Sequence, residues 1–316
     1  MLFRSVFEFP FRNLRTGFLR QEFRDWNERC YSGREFLPGT SFSIWGVAHE
    51  PTPESMHMSR MYHPMQNFTT EEEFASYPYP EFDPSQAEEC RREVEALHAR
   101  GIAAMVPLNC TIWETAWYMR SMEEMMVGMM TDDPLTERHF ERITVLAEQR
   151  AAAFASCGAD LLHLGDDIGM QQTIMMSHEL YRKHLKPRLA RVVQAAKAAK
   201  PDMVITYHSC GYVTPFITDL MEAGVEVLNP VQPECMDFAE IHAEYGKKLS
   251  FWGTVGTQST MPFGTPDEVK AVVRRNLEIA GEAGGLLCTP THLLEPEVPW
   301  ENIEAYVEAC REFRLA

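Results

Sequence analysis

From residue 85 onward the chain repeats one pattern: a helical stretch, a stop, a short apolar segment and a polar loop. Ser85 with Glu88 three residues later reads as a capping box, and its helix runs to Gly101 before the apolar segment 102–108. Asp133-Pro134 opens a long helix with proline at its first position, which ends near Gly158 ahead of Leu161-Leu162-His163-Leu164. Ser177 caps a helix through Lys200, and Pro201 leads into Met203-Val204-Ile205-Thr206-Tyr207. Gly224 precedes Val225-Glu226-Val227-Leu228, and Gly246 precedes Leu249-Ser250-Phe251-Trp252. Thr265-Pro266-Asp267-Glu268 is a second capping box, whose helix ends at Gly284-Gly285 before Leu286-Leu287-Cys288. A last amphipathic helix starts after Pro299 and carries Ile303, Tyr306, Val307 and Cys310.

No strand-turn-strand signal interrupts this series, so the strands are expected to be parallel. No glycine-rich phosphate loop follows any of them, which argues against a nucleotide-binding doubly wound sheet. The pattern predicts an α/β chain folded as a single (β/α)8 TIM barrel domain over residues 1–316. The remaining strands would lie in residues 1–84, for example around 41–47, in an irregular and helical N-terminal part of the same domain.

Composition narrows the partners. A chain of 316 residues with 45% hydrophobic content buries a large core. Its net charge of −17 repels phosphate backbones and anionic lipid, so neither nucleic acid nor a membrane surface is an expected partner. No stretch is apolar for long enough to span a bilayer, and Met1-Leu2-Phe3-Arg4-Ser5-Val6 lacks the form of a secretory signal. Eight scattered cysteines read as reduced thiols, which predicts a cytoplasmic protein. The sequence also allows a homodimer.

Active sites of such barrels gather at the C-terminal ends of the strands. Those ends read Asn109 with Glu114, Asp166-Asp167, His208 with Cys210, Asn229 with Gln232, Trp252 and the 253–258 loop with Gln258, and Cys288 to His292. Side chains two apart on a strand share a face, so His208 and Cys210 can aim at one point, as a zinc site requires. The competing reading of that pair is a buried thiol beside a hydrogen-bonded histidine.

Several segments then carry a family resemblance: Gly165-Asp166-Asp167-Ile168-Gly169, Lys186-Pro187-Arg188, His208-Ser209-Cys210-Gly211, Val227-Leu228-Asn229-Pro230-Val231-Gln232-Pro233, Trp252-Gly253, Phe263-Gly264-Thr265-Pro266 and Pro299-Trp300-Glu301-Asn302. With these the stretch 160–313 resembles the uroporphyrinogen decarboxylase superfamily, which includes cobalamin-linked zinc methyltransferases such as the methylcobamide:coenzyme M enzymes. The resemblance implies a (β/α)8 barrel with additional N-terminal helices. The decarboxylase's N-terminal Met-Arg-Gln-Ala-Gly-Arg-Tyr motif is missing before residue 60, and Thr111-Ile112-Trp113-Glu114 stands where its Gly-Ala-Pro-Phe-Thr segment would be. A polycarboxylate porphyrinogen needs such cationic anchors, so the methyltransferase branch fits better.

That branch implies zinc held by His208, Cys210 and a cysteine shortly before the Pro-x-x-Asn element. Counting back without gaps from Asn302 places His292 there, whereas Cys288 is the available thiol, so either one is a candidate third ligand. The implied chemistry is methyl transfer between a corrinoid, supplied by a partner carrier protein, and a small-molecule thiol or a methoxy or methylamine compound. Glu114, Asp166 and Asp167 become candidates for orientation or acid–base work. Asn109, Asn229, Gln232, Trp252 and Gln258 become candidate substrate contacts. The alternatives are a metal-free decarboxylase or lyase using Asp167 and His292 on a small carboxylated ring, and a non-catalytic corrinoid- or tetrapyrrole-binding protein.

Two further features are given bland readings. Met56-His57-Met58, Met61, His63 and Met65 are expected to line an apolar pocket or lid rather than to bind copper. Met122, Met125, Met126, Met129 and Met130 recur at helical spacing and predict a core face, while His163, His178, His184 and His242 are expected to be structural.

Overall fold

The computed structural model describes residues 10–52, 59–281 and 284–313. The Met56-His57-Met58 part of the methionine-rich segment lies outside them. The chain divides into two compact units, Met1–His163 with Glu179–Met203, and Leu164–His178 with Val204–Ala316.

In the first unit the strands are β1 (Phe11–Asn13), β2 (Leu19–Arg20), β3 (Ser41–Phe42), β4 (Ala48–Pro51), β5 (Ser59–Tyr62), β6 (Glu81–Phe82), β7 (Ala103–Asn109) and the start of β8 (Leu161–Gly165). Strand β1 pairs parallel with β7, Phe11 opposite Ala103 and Asn13 opposite Met105. β7 is joined to the β8 end by Asp160, whose amide donates to Ala104 O and whose carboxylate accepts the Ala104 amide. Helix Pro134–Ser156 starts as expected, with Asp133 accepting from the Leu135 and Thr136 amides and proline in the first turn. It packs on helix Lys186–Ala199. Arg191 clamps the pair with 2.7–2.9 Å bonds to Glu141 and Glu148.

Three expectations for this unit need correction. The stretch 41–47 is no barrel strand: β3 and β4 form an antiparallel hairpin, continued by β5. Gly46 is why the chain turns there, because it has φ +80° and a Cβ on it would lie 2.5 Å from the Trp26 ring and the Tyr77 hydroxyl. Of the expected additional N-terminal helices, the described residues before the Ala87–His98 helix hold the two six-residue helices Trp26–Tyr31 and Glu71–Ser76, among short strands. The Ser85 box is also replaced. Asp83 caps that turn, accepting from both the amide and the hydroxyl of Ser85, and the α-helix is Ala87–His98.

The second unit holds the end of β8, then β9 (Val204–His208), β10 (Val227–Asn229), β11 (Ser250–Trp252) and β12 (Leu286–Leu287), hydrogen-bonded in that order. All the registered pairs are parallel, with Asn229 opposite His208, Leu228 opposite Phe251 and Trp252 opposite Leu287. The expected helices follow: Pro266–Ala280, with its Thr265–Glu268 capping box formed, and Trp300–Glu312 packed against it. Counted among the described residues, the strands of the parallel set are β1, β7, β8, β9, β10, β11 and β12, seven rather than eight. The α/β reading and the parallel strands therefore hold, and the full complement of an eight-stranded barrel is not present among the described residues.

Candidate metal centre

The site begins with the register of β9 against β10. Because Asn229 stands directly opposite His208, the His208 Nδ1 meets Asn229 Oδ1 at 2.7 Å. The Asn229 amide nitrogen in turn donates to the Trp252 carbonyl at 2.7 Å. The amide therefore presents its oxygen to the ring, Nδ1 carries the proton, and Nε2 is left as the lone-pair nitrogen. That nitrogen lies 3.4 Å from Cys210 Sγ.

Past the strand end the chain is bent back by Gly211, at φ +85°, where a Cβ would fall 2.7 Å from the Met170 carbonyl. The bend is held from two sides: the Cys210 amide donates to Asp167 Oδ1 at 2.8 Å, and the Gly211 amide to Gln232 Oε1 at 2.9 Å. Ser209, fully buried, accepts the Ile168 amide at 3.0 Å and donates its own amide to Asn229 O at 2.8 Å. These bonds aim Cys210 at the same point as His208.

His292 supplies the third donor from the loop after β12. One ligand atom each from His208, Cys210 and His292 lie within 4.8 Å of one another, and the two imidazole centroids are 6.3 Å apart. Zinc bonds of roughly 2.0–2.3 Å in tetrahedral geometry set donors about 3.3–3.6 Å apart; the donor types suit zinc and the 3.4 Å between His208 Nε2 and Cys210 Sγ falls in that range, while the 4.8 Å bound on the three-donor set is wider than a closed tetrahedron. Asp167 Oδ1 stands 3.8 Å from His208 Nε2, at the rim of the cluster.

Cys288 is turned elsewhere. It is buried, its sulfur is 3.8 Å from the Thr254 hydroxyl, and it shares a hydrogen bond with Cys310. That bond, followed by burial, pushes the Cys288 thiol far above its ordinary range, the opposite of what a metal-ligating thiolate needs. Tyr306 closes the pocket by donating to the Cys288 carbonyl at 2.9 Å.

The remaining expected residues fall in several places. Asp166 is buried at the end of β8, its amide bonded to His208 O and its carbonyl to the Tyr207 hydroxyl. Trp252 ends β11, and Gln258 is exposed, its amide bonded to Glu234. Asn109 and Glu114 belong to the first unit. Asn109 is exposed at the end of β7, and Glu114 is buried, accepting the Tyr118 hydroxyl at 2.6 Å. Asn229 and Gln232, expected as substrate contacts, bond His208 and the Gly211 amide, and for Asn229 the parallel register sets that position. Met65 is buried, and His63 Nδ1 bonds the Tyr118 carbonyl at 2.8 Å. Of the methionine face, Met125 and Met129 are buried whereas Met130 is exposed.

The uroporphyrinogen decarboxylase (URO-D) family model matches residues 86–313, well over half the chain, so the chain belongs to that family. Within it, the chain resembles the methyltransferase branch. A methylated-thiol–coenzyme M methyltransferase of Methanosarcina mazei is 24% identical over 67% of this chain and 54% of its own length. A uroporphyrinogen decarboxylase of Pelodictyon phaeoclathratiforme is 26% identical over 49% of this chain and 42% of its own. The chain thus spans about half the length of the curated relatives it matches. Among solved structures, a methyltransferase from Methanosarcina mazei superposes with a TM-score of 0.58 at 20% identity, covering 81% of this chain and 72% of the other, a likeness of fold.

Proposed function

We propose that the chain is a zinc-dependent methyltransferase moving a methyl group between a corrinoid, carried by a partner protein, and a small-molecule thiol or a methoxy or methylamine compound. One observation carries this reading: His208, Cys210 and His292 converge with the His208 tautomer already set for coordination. The likeness to a methylated-thiol–coenzyme M methyltransferase supports the direction. His208, Cys210 and His292 would hold the zinc, which would supply a Lewis acid that favours the thiolate form of a substrate thiol.

The chain's own residues then have distinct tasks. Asn229 orients the His208 ring and keeps its proton on Nδ1. Asp167 fixes the Cys210 backbone and, at 3.8 Å from His208 Nε2, is a carboxylate placed for holding or moving a substrate proton. Gln232 holds the Gly211 bend. Asp166 and Glu114 are assigned to acid–base or orienting work, and Asn109, Trp252 and Gln258 to substrate contact. Cys288 is left out of the ligand set.

The test is elemental analysis of the protein purified without chelator, beside Cys210→Ala. About one zinc per chain, lost in the variant, is the expected result. Absence of zinc from both proteins, even after metal is added, would overturn the reading. Methyl transfer is then checked by supplying methylcobalamin and a small thiol and measuring the methyl thioether.

A further inference from the structure

The first unit contains a cavity of about 220 Å³, whose lining shares Asn109 with the residues proposed for substrate contact. Trp45, Leu108, Ile143 and Leu146 give it apolar walls, and Arg150, His49 and Asn109 add polar groups. The chain carries 46 acidic residues against 29 lysines and arginines, yet no Asp or Glu is among the residues that line this cavity.

Arg150 is the permanent cation of the lining. Arg188 and Arg191 of the same helix pair each meet a carboxylate, and Arg142 lies over the Tyr79 ring. Arg150 instead donates Nε to the Gly17 carbonyl at 2.8 Å and has no ion pair among the described residues. Burial alone lowers its guanidinium to about 10, with no neighbouring carboxylate to offset it. A cation withdrawn from water without a counter-charge is costly, and an anion in the cavity relieves that cost through two parallel hydrogen bonds. His49, tied at Nδ1 to the Ser59 hydroxyl and held neutral by burial, adds a polar group without adding charge.

We propose that this cavity is a binding site for a small organic carboxylate, whose charged end pairs with Arg150 and whose apolar body lies against Trp45, Ile143 and Leu146. Its volume is below the roughly 300–1,000 Å³ of drug-sized pockets, which restricts the ligand to about the size of benzoate. The apolar walls disfavour a fully hydrated inorganic anion.

Titration calorimetry with benzoate, its neutral isostere benzamide and inorganic sulfate tests the site. Saturable benzoate binding is expected, with benzamide and sulfate at least tenfold weaker. Arg150→Gln should weaken benzoate at least tenfold and leave benzamide unchanged. Ala147→Leu, which fills the cavity and keeps the arginine, should abolish benzoate binding and so covers the case in which Arg150→Gln fails to fold. Cys210→Ala should bind benzoate like the parent, which separates this site from the metal reading. Equal binding of benzoate and benzamide, sulfate binding as tight as benzoate, or benzoate binding unaffected by Arg150→Gln or by Ala147→Leu would overturn the proposal.

Discussion

His139 in the first unit and His208 in the second are both imidazoles held in one tautomer, with different consequences. His139 is fully buried and both ring nitrogens are spent: Nε2 donates to the Ala116 carbonyl at 3.1 Å, so Nδ1 accepts the Tyr79 hydroxyl at 2.7 Å. His208 bonds Asn229 through Nδ1 and turns Nε2 toward Cys210 Sγ, 3.4 Å away at the partly exposed cluster. The two cysteines that end strands of the second unit repeat the contrast. Cys288 is enclosed by Thr254, Cys310 and Tyr306, whereas Cys210 is partly exposed beside two imidazoles. A candidate ligand is thus recognised by a remaining donor atom that converges with others, and residue type alone does not supply that.

The largest expected effect breaks the contrast between the two positions after β12. His292→Ala should weaken zinc affinity by at least about a hundredfold, since it removes a ligand. Cys288→Ala should leave zinc at about one per chain. Competition against a chelator reads both. If Cys288→Ala lost the metal and His292→Ala kept it, the thiol would have to leave its hydrogen bond with Cys310, and the ligand assignment would be reversed.

How far the residues alone foretold this differs between the two units. The second unit was legible because local signals agreed with the fold: the Thr265–Glu268 box, the apolar runs and the helix after Pro299 all formed within a residue or two of expectation. The His208–Cys210 spacing offered two candidate donors, and the structure sets His292 beside them. What local signals could not settle was pairing. Val204–His208 against Val227–Asn229 is a register between distant segments, and it alone makes Asn229 the partner of His208. The choice between Cys288 and His292 likewise depends on where Cys310 sits on a later helix. In the first unit the stretch 41–47 suits a strand of either kind, and its hairpin is set by Gly46 packing on Trp26 and Tyr77. At residue 85, the Ser-x-x-Glu pattern was outcompeted by an Asp two residues upstream, an equally good acceptor for the first amides.

The next effect sharpens the histidine comparison through pH. Burial lowers His139 to about 4, and the unfolded chain returns it to roughly 6.5. As pH falls below 6.5 the unfolded state takes up the proton first. The associated stability is complete above about pH 6.5 and is lost progressively down to about pH 4. At about 1.4 kcal/mol per unit the loss is on the order of 3 kcal/mol across that window. Thermal unfolding between pH 6.5 and 5 should therefore show a falling Tm that flattens in His139→Gln. An unchanged slope in the variant would assign the acid sensitivity to other groups.

The smallest effect concerns a residue that touches no metal. Asn229→Ala removes the acceptor that keeps the His208 proton on Nδ1, freeing the ring to rotate and to place a proton on the nitrogen that should coordinate. Such outer partners are typically worth about ten- to a hundredfold in metal affinity. The Asn229→Ala variant should therefore bind zinc with affinity reduced by about that factor, while its pH slope between 6.5 and 5 stays that of the parent because His139 is untouched. Unchanged zinc affinity would mean that Cys210 and His292 orient the ring without help. The register between β9 and β10 would then serve the sheet rather than the site.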